Sequence, residues 1–289
     1  MLEELQLLNA AFPWFGPIIA LVFGLLVGSF LNVVVYRLPI MLERDWQSQA
    51  KQILELEEAE PAEPFNLITP NSRCPGCNRP IRPWENIPVV SYLALRGKCA
   101  GCKKPISIRY PLVEALTGTL ALIVVAHYGL TPTGIALVLL TFGLVALSLI
   151  DYDTKLLPDD ITLPLLWLGL IVNYYDIVTT FSSAFWGAIL GYMSLWVVYQ
   201  AFKLVTGKEG MGFGDFKLLA VLGAWMGWEV LPLTIILSSL TGAIIGGTLI
   251  ALGRDRTNPI PFGPYLAIAG WIALMWGTEI TNAYLMLVS

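Results

Sequence analysis

Charge is scarce in this chain, histidine is nearly missing, and an excess of positive charge is missing altogether. Of its 289 residues only 13% are charged while 56% are hydrophobic. A soluble globular chain carries about 25% charged residues. Half that density cannot cover a water-facing surface, so the lipid bilayer must be part of the solvent. A net charge of −4 with no basic stripe excludes nucleic acid as a partner. The single histidine, His127, falls near the outer end of an apolar run, far from the acidic motifs, and reads as an interfacial residue. Ser148, Ser238 and Ser239 have no base partner, so serine-nucleophile chemistry finds no support. No internal repeat and no long low-complexity tract is seen.

What the chain has in quantity is apolar sequence. A spanning helix needs roughly 20 mostly apolar residues, and eight runs qualify, at about 12–36, 111–130, 133–150, 161–178, 184–206, 216–231, 233–252 and 262–287. The expectation is an all-α polytopic membrane protein. Glu3 and Glu4 stand where a cleavable signal would be basic, so the first run reads as a span rather than a signal peptide.

The loops orient it. Cytoplasmic loops collect Lys and Arg. Eleven of the 17 basic residues fall from Arg37 to Arg109, and the others are Lys155, Lys203, Lys208, Lys217, Arg254 and Arg256. Eight spans with a periplasmic N-terminus place all 17 on the cytoplasmic side, and the connections 129–133, 176–184 and 229–233 carry none. The division this implies is a first span (1–36), a cytoplasmic insert (37–110) and a seven-helix membrane domain (111–289). Within the insert, 44–64 is charged and reads as a solvated linker, with a short amphipathic helix as the alternative.

The four cysteines lie in the insert as two knuckles, Cys74-Pro-Gly-Cys77 and Cys99-Ala-Gly-Cys102, separated by 21 residues. Each turn aims two thiolates at one point, and two such turns give the closed four-sulfur site of structural zinc. Disulfides or a redox pair are the alternatives. A reducing cytosol disfavours the first, and a redox pair needs no matching second pair. With all four positions filled by sulfur, the site is structural rather than catalytic.

Ionisable groups at membrane depth are candidates for function. One set is IDYDTKLLPDD (150–160), after the third run, and the other is GMGFGD (210–215), before the sixth. An aspartate opening an apolar helix caps it and suits its positive end, which accounts for Asp215 and Asp160. Asp151 follows an apolar run, at the end where carbonyls are unpaired, and capping does not explain it. Both Asp151 and Asp215 fall at the cytoplasmic ends of their helices, so they can meet at one depth. A carboxylate pair can activate water and polarise a scissile carbonyl without serine, cysteine or metal. Gly210, Gly212 and Gly214, able to adopt positive φ, would admit an extended substrate backbone beside Asp215. Two other readings stay open. One is a proton- or cation-coupled transporter, although its acids belong near mid-bilayer on broken helices. The other is a magnesium-dependent lipid-phosphate enzyme using Asp151, Asp153, Asp159 and Asp160 with Lys155, Lys208 and Lys217. A phosphate-binding P-loop is excluded, because Asp-Phe-Lys follows the glycines.

Taken together, GSFLNVVVYRLP (28–39), the two cysteine knuckles, SIRYPLVEALTG (107–118), IDYDTKLLPD (150–159), GMGFGDFKLLAVLGAWMGW (210–228) and PFGPYLA (261–267) resemble the bacterial type IV prepilin peptidase family over nearly the whole chain. The resemblance implies an inner-membrane aspartic endopeptidase with Asp151 and Asp215 as the catalytic pair. It implies type IV prepilins and pseudopilins as substrates, cut at the cytoplasmic face. It also implies methylation of the new N-terminus with S-adenosylmethionine, a function associated with the cysteine-bearing region, where Gly97 is the position to test first. No βαβ unit for that cofactor is seen in 37–110. The acidic run Glu55, Glu57, Glu58, Glu60 and Glu63 would steer a basic leader by screened attraction.

Overall fold

A computed structural model describes residues 12–56, 64–253 and 260–288. Among these, the regular structure is helical apart from two isolated β-bridges. The chain forms two compact units, residues 1–129 and 130–289.

The first unit is built on two long helices, α1 (Phe15–Ile53) and a later one, with the cysteine region between them. That region holds a 3₁₀ turn at Pro83–Asn86 and the five-residue α2 (Val90–Ala94). The second long helix, α3 (Arg109–Tyr128), packs along α1 through small residues. A Cβ on Gly24 would lie 2.8 Å from Gly118 Cα, and one on Gly28 would lie 2.8 Å from Glu114 Cα. Lipid offers no hydrophobic drive for helices to associate, so this close backbone approach supplies the attraction. One turn on, the Asn32 amide donates to the Tyr110 carbonyl at 3.2 Å.

The first helix does not stop at residue 36, where the apolar run ends. It continues through Ile53, so residues 44–53 are neither a separate helix nor a linker. The end of the apolar run marks the membrane boundary, whereas Leu, Met, Glu, Arg, Gln and Ala carry the helix on into water. Arg37, just inside that extension, is 8% exposed and donates to the carbonyls of Asn66 at 2.8 Å and Pro70 at 2.6 Å. This staples the following loop to the helix. Of the acidic run only Glu55 is among the described residues.

The second unit contains α4 (Pro132–Thr154), α5 (Asp159–Tyr174), α6 (Phe181–Thr206), α7 (Phe213–Met226), a 3₁₀ turn (Trp228–Val230), α8 (Leu231–Ala251) and α9 (Gly263–Val288). Its centre is α7. Phe216, Leu218, Leu219, Val221, Leu222 and Trp225 are completely enclosed. Against it α6 turns Gly187 and Gly191, whose added Cβ atoms would lie 2.3 Å from the Gly223 carbonyl oxygen and 2.6 Å from that of Leu219. The Asn173 amide of α5 donates to the carbonyls of Ala224 at 2.9 Å and Trp225 at 3.0 Å, satisfying the C-terminus of α7. The Trp225 indole donates to the Leu165 carbonyl at 2.8 Å.

Each of the eight expected runs coincides with a helix, and among the described residues five helical segments are long and apolar enough to cross a membrane: Phe15–Ile53, Arg109–Tyr128, Pro132–Thr154, Phe181–Thr206 and Trp228–Ala251. The helices α5, with 16 residues, and α7, with 14, are shorter. The last, α9, leaves helical geometry at Trp276. Outward faces of the long helices present Ile18, Phe23, Trp186, Val197, Ile236 and Ile244 to the surroundings. A multi-pass membrane protein needs such faces toward lipid.

Candidate active site

The second unit brings the two aspartate motifs together. Asp151 lies in the last turn of α4, which ends at Lys155 in the left-handed conformation. Asp215 lies in the first turn of α7. They are 5% and 7% exposed, and they are the buried aspartates among the described residues. Leu157 packs against both Gly214, next to Asp215, and Gly263, which contacts Asp151, so one side chain is shared by the surroundings of the two carboxyl groups. By contrast Asp153, Asp159 and Asp160 are exposed. Burial separates one aspartate of the first motif from its three companions, which spacing alone could not do.

Asp151 stands at the carbonyl end of its own helix, as expected, but its setting includes a second helix that sequence reasoning did not connect to it. The backbone N–H of Gly263, first residue of α9, donates to Asp151 Oδ2 at 2.9 Å. The positive end of α9 thereby offsets the negative end of α4. A Cβ on Gly263 would lie 2.7 Å from that same oxygen. The signal was present in PFGPYLA, where a glycine next to proline opens an apolar run.

Asp215 is not the N-cap of its helix. The helix begins at Phe213 with Gly212 as its cap residue, which puts Asp215 at the third helical position, still within reach of the dipole. None of Gly210, Gly212 and Gly214 uses positive φ. Their small size serves proximity instead. A Cβ on Gly210 would lie 2.8 Å from the Phe202 ring, and one on Gly214 2.7 Å from Leu157 Cβ. Gly212 is open, its nearest neighbour being Asp215 Oδ2 at 3.9 Å from the added Cβ. Leu157 also approaches the added Cβ of Gly263, at 3.2 Å, so one side chain touches both glycine-bearing walls.

Beside these walls is an apolar cavity of about 350 Å³, whose lining includes Val198, Met211, Ile235, Phe262 and Tyr265. Met211 and Phe262 are the chain neighbours of Gly212 and Gly263.

The four cysteines of the first unit also converge. Their sulfurs lie within 4.8 Å of one another, with Cys74–Cys102 at 3.7 Å and Cys77–Cys99 at 4.0 Å. All four are free thiols. A tetrahedral ion with metal–sulfur bonds near 2.3 Å sets its sulfurs about 3.8 Å apart, so the donor set fits. The N–H groups of Gly76 and Gly101 donate to Cys74 and Cys99 Sγ at 3.4 Å. Backbone N–H groups of Gly76 and Cys77 bring the Cys74 thiol down to about 6, whereas Cys102, although the Lys104 N–H draws it down, is pushed up to about 11 by burial and the neighbouring sulfurs. Among the described residues, this is the one set of three or more ligand-type side chains that converges, and the aspartates of 150–160 form no such set.

The knuckles are an internal repeat after all. RCPGCNRP (73–80) and KCAGCKKP (98–105) each close with an antiparallel bridge between first and last residue. Each also places the residue after its second cysteine, Asn78 or Lys103, at positive φ. The unit is eight residues long, far below the period of a domain repeat.

Comparison with known proteins matches this arrangement at both ends. Residues 22–128 match the Bacterial Peptidase A24 N-terminal domain, and residues 138–247 match the Type IV leader peptidase family. The chain is 60% identical over 271 residues to a prepilin leader peptidase/N-methyltransferase of Stutzerimonas stutzeri, covering 92% of each. It is 58% identical over 277 residues to the protein of that name in Pseudomonas aeruginosa, covering 96% of each. The Aeromonas hydrophila protein is 53% identical, covering 94% of this chain and 95% of its own. No solved structure matches the chain.

Proposed function

Because the chain belongs to the type IV leader peptidase family, we propose that Asp151 and Asp215 are the catalytic pair with which it removes the leader of a prepilin. The enzyme is a prepilin leader peptidase that also N-methylates its product, as its relatives are named. The observation that carries the site assignment is selective burial: one aspartate from each motif is enclosed while Asp153, Asp159 and Asp160 face outward. One carboxylate of the pair takes a proton from water as it attacks the scissile carbonyl. The other donates its proton to the carbonyl oxygen; as the tetrahedral intermediate collapses it takes that proton back, while the first passes the water-derived proton to the leaving amine. The Gly263 N–H fixes the orientation of Asp151 for its share of that exchange. Gly212 leaves backbone-sized space beside Asp215. The apolar cavity at Met211 and Phe262 takes the apolar side chain that follows the cut.

The remaining assignments extend this reading. The eight helices cross the inner membrane with the N-terminus periplasmic and the basic loops cytoplasmic, which the distribution of Lys and Arg supports. Cleavage then takes place at the cytoplasmic face. The four cysteines hold structural zinc, and 37–110 is the part of the chain associated with methyl transfer, as 111–289 is with proteolysis. S-adenosylmethionine is the methyl donor, and pseudopilins are substrates alongside type IV prepilins.

Purified protein in bilayer discs, given a prepilin and S-adenosylmethionine, should release the leader and leave a product one methyl group heavier at its N-terminus. Mass spectrometry showing an intact prepilin would overturn the reading.

A further inference from the structure

We propose that the cavity enclosed within the first unit by α1, α3 and the cysteine module is the binding site for the methyl donor, with Glu114 and Tyr92 as its determinants for a sulfonium cation. The proposal rests on the methyl-transfer reading above and locates that activity. The cavity measures about 490 Å³, within the range of roughly 300–1,000 Å³ that small-molecule sites occupy. Its walls come from three places: Asn32 and Tyr36 on α1, Tyr110 and Glu114 on α3, and Cys74 and Cys99 in the module. The site therefore does not need a nucleotide-binding βαβ unit, and it is not confined to 37–110.

The charges on its walls are distributed as a sulfonium amino acid requires. Glu114 is 7% exposed, and its Oε2 accepts the Val89 N–H at 2.7 Å, a neutral donor rather than a cation. The other acidic wall residue, Glu85, is already engaged by Arg79 at 2.6 Å. Of the basic wall residues, Arg37 is committed to two carbonyls, whereas Arg73 and Lys104 flank the cysteine knuckles. A buried carboxylate on α3 and cationic side chains beside the knuckles suit a ligand bearing both a sulfonium and a carboxylate. Tyr36, Tyr92 and Tyr110 add π faces that attract cations.

The bond from Val89 is held at a backbone cost. Val89 adopts φ 59° and ψ −47°, a conformation that a β-branched residue avoids. Strain of this kind persists where surrounding structure enforces it, often at ligand sites. Gly97 joins the same wall from behind. It sits at φ +66°, and a Cβ there would lie 2.9 Å from the Tyr92 hydroxyl. Gly97 is therefore a positioning residue that acts through Tyr92, not a ligand contact.

The test is titration calorimetry of the full-length protein in detergent with S-adenosylmethionine and with S-adenosylhomocysteine, which lacks the sulfonium charge. Glu114→Gln should weaken the charged ligand about tenfold, equivalent to roughly 1.4 kcal/mol, and the neutral one less than about threefold. Glu114→Asp should retain the preference for the charged ligand. A misfolded variant would lose both ligands alike, and Val33→Trp then decides, since it narrows the cavity from α1 without touching the Glu114–Val89 bond. It should weaken both ligands at least about tenfold with an unchanged unfolding midpoint. Either Glu114→Gln or Val33→Trp binding both ligands as the wild type does would overturn the proposal while leaving the methyl-transfer reading intact. A wild-type protein that cleaves prepilin yet neither binds nor uses the donor would overturn that reading itself.

Discussion

Lys217 Nζ lies 2.6 Å and 2.7 Å from the two carboxylate oxygens of Asp159, joining the first turn of α5 to the helix that carries Asp215. Neither residue belongs to the proposed catalytic pair, but their contact ties α7 to the start of α5, which the connection 155–158 links to the turn carrying Asp151. Both ends are substantially exposed, at 28% and 52% for Lys217 and Asp159, so the pair contributes only about 0.2–1 kcal/mol to stability. Lys217→Met and Asp159→Asn should each lower kcat for leader cleavage severalfold, with little change in unfolding midpoint. The double variant should be no worse than either single one, the signature of one shared interaction. Additive losses would show that each residue acts separately.

Gly263 gives a sharper test of how Asp151 is held. The Cβ of Gly263→Ala would meet Asp151 Oδ2 at 2.7 Å, forcing the carboxylate off its N–H donor. Overpacking of this kind costs about 1–3 kcal/mol. Cleavage kcat should fall at least about tenfold, since misplacement near 1 Å can lose a hundredfold, while KM for prepilin stays near the wild-type value. Methylation of an already cut pilin should persist. Unchanged kcat would remove Gly263 from the account.

The cysteine module makes a separate prediction. Metal analysis of the purified protein should find a single equivalent of zinc, and Cys77→Ser should lose it. Because the module has little apolar core of its own, loss of metal should unfold it. Proteolysis should then cut within 66–108, and methyl transfer should stop. A metal-free wild-type protein with full methyl transfer would contradict the assignment.

How far the sequence disclosed this arrangement differs by feature. Helix positions were legible because apolar runs of membrane length leave few choices. Their number of crossings was less so, since α7 is buried by protein on all sides and its apolarity says nothing about lipid. The end of α1 was misplaced because hydrophobicity reports the solvent, whereas helix propensity continued to Ile53. Asp151 was legible as an anomaly, a carboxylate at the wrong end of its helix. Its resolution lay 112 residues away at Gly263, a long-range contact that no local pattern encodes. Asp215 looked like a cap and proved to be the third residue of the first turn, because Gly212 rather than the aspartate terminates the extended segment. The eight-residue repeat of the knuckles was overlooked because it is shorter than any fold-building period, and the cavity at Glu114 because its walls come from segments far apart in the chain.

The most direct measurement is single-turnover cleavage of a prepilin by the full-length protein in bilayer discs, with Asp151→Asn and Asp215→Asn compared separately and together. These near-isosteric changes keep volume and polarity while removing the transferable proton. Each should slow cleavage by about a thousandfold, in the range that acid–base catalysis supplies. The double variant should be little slower than either one, as expected for groups that act as a unit. Full cleavage by either single variant would contradict the catalytic pair.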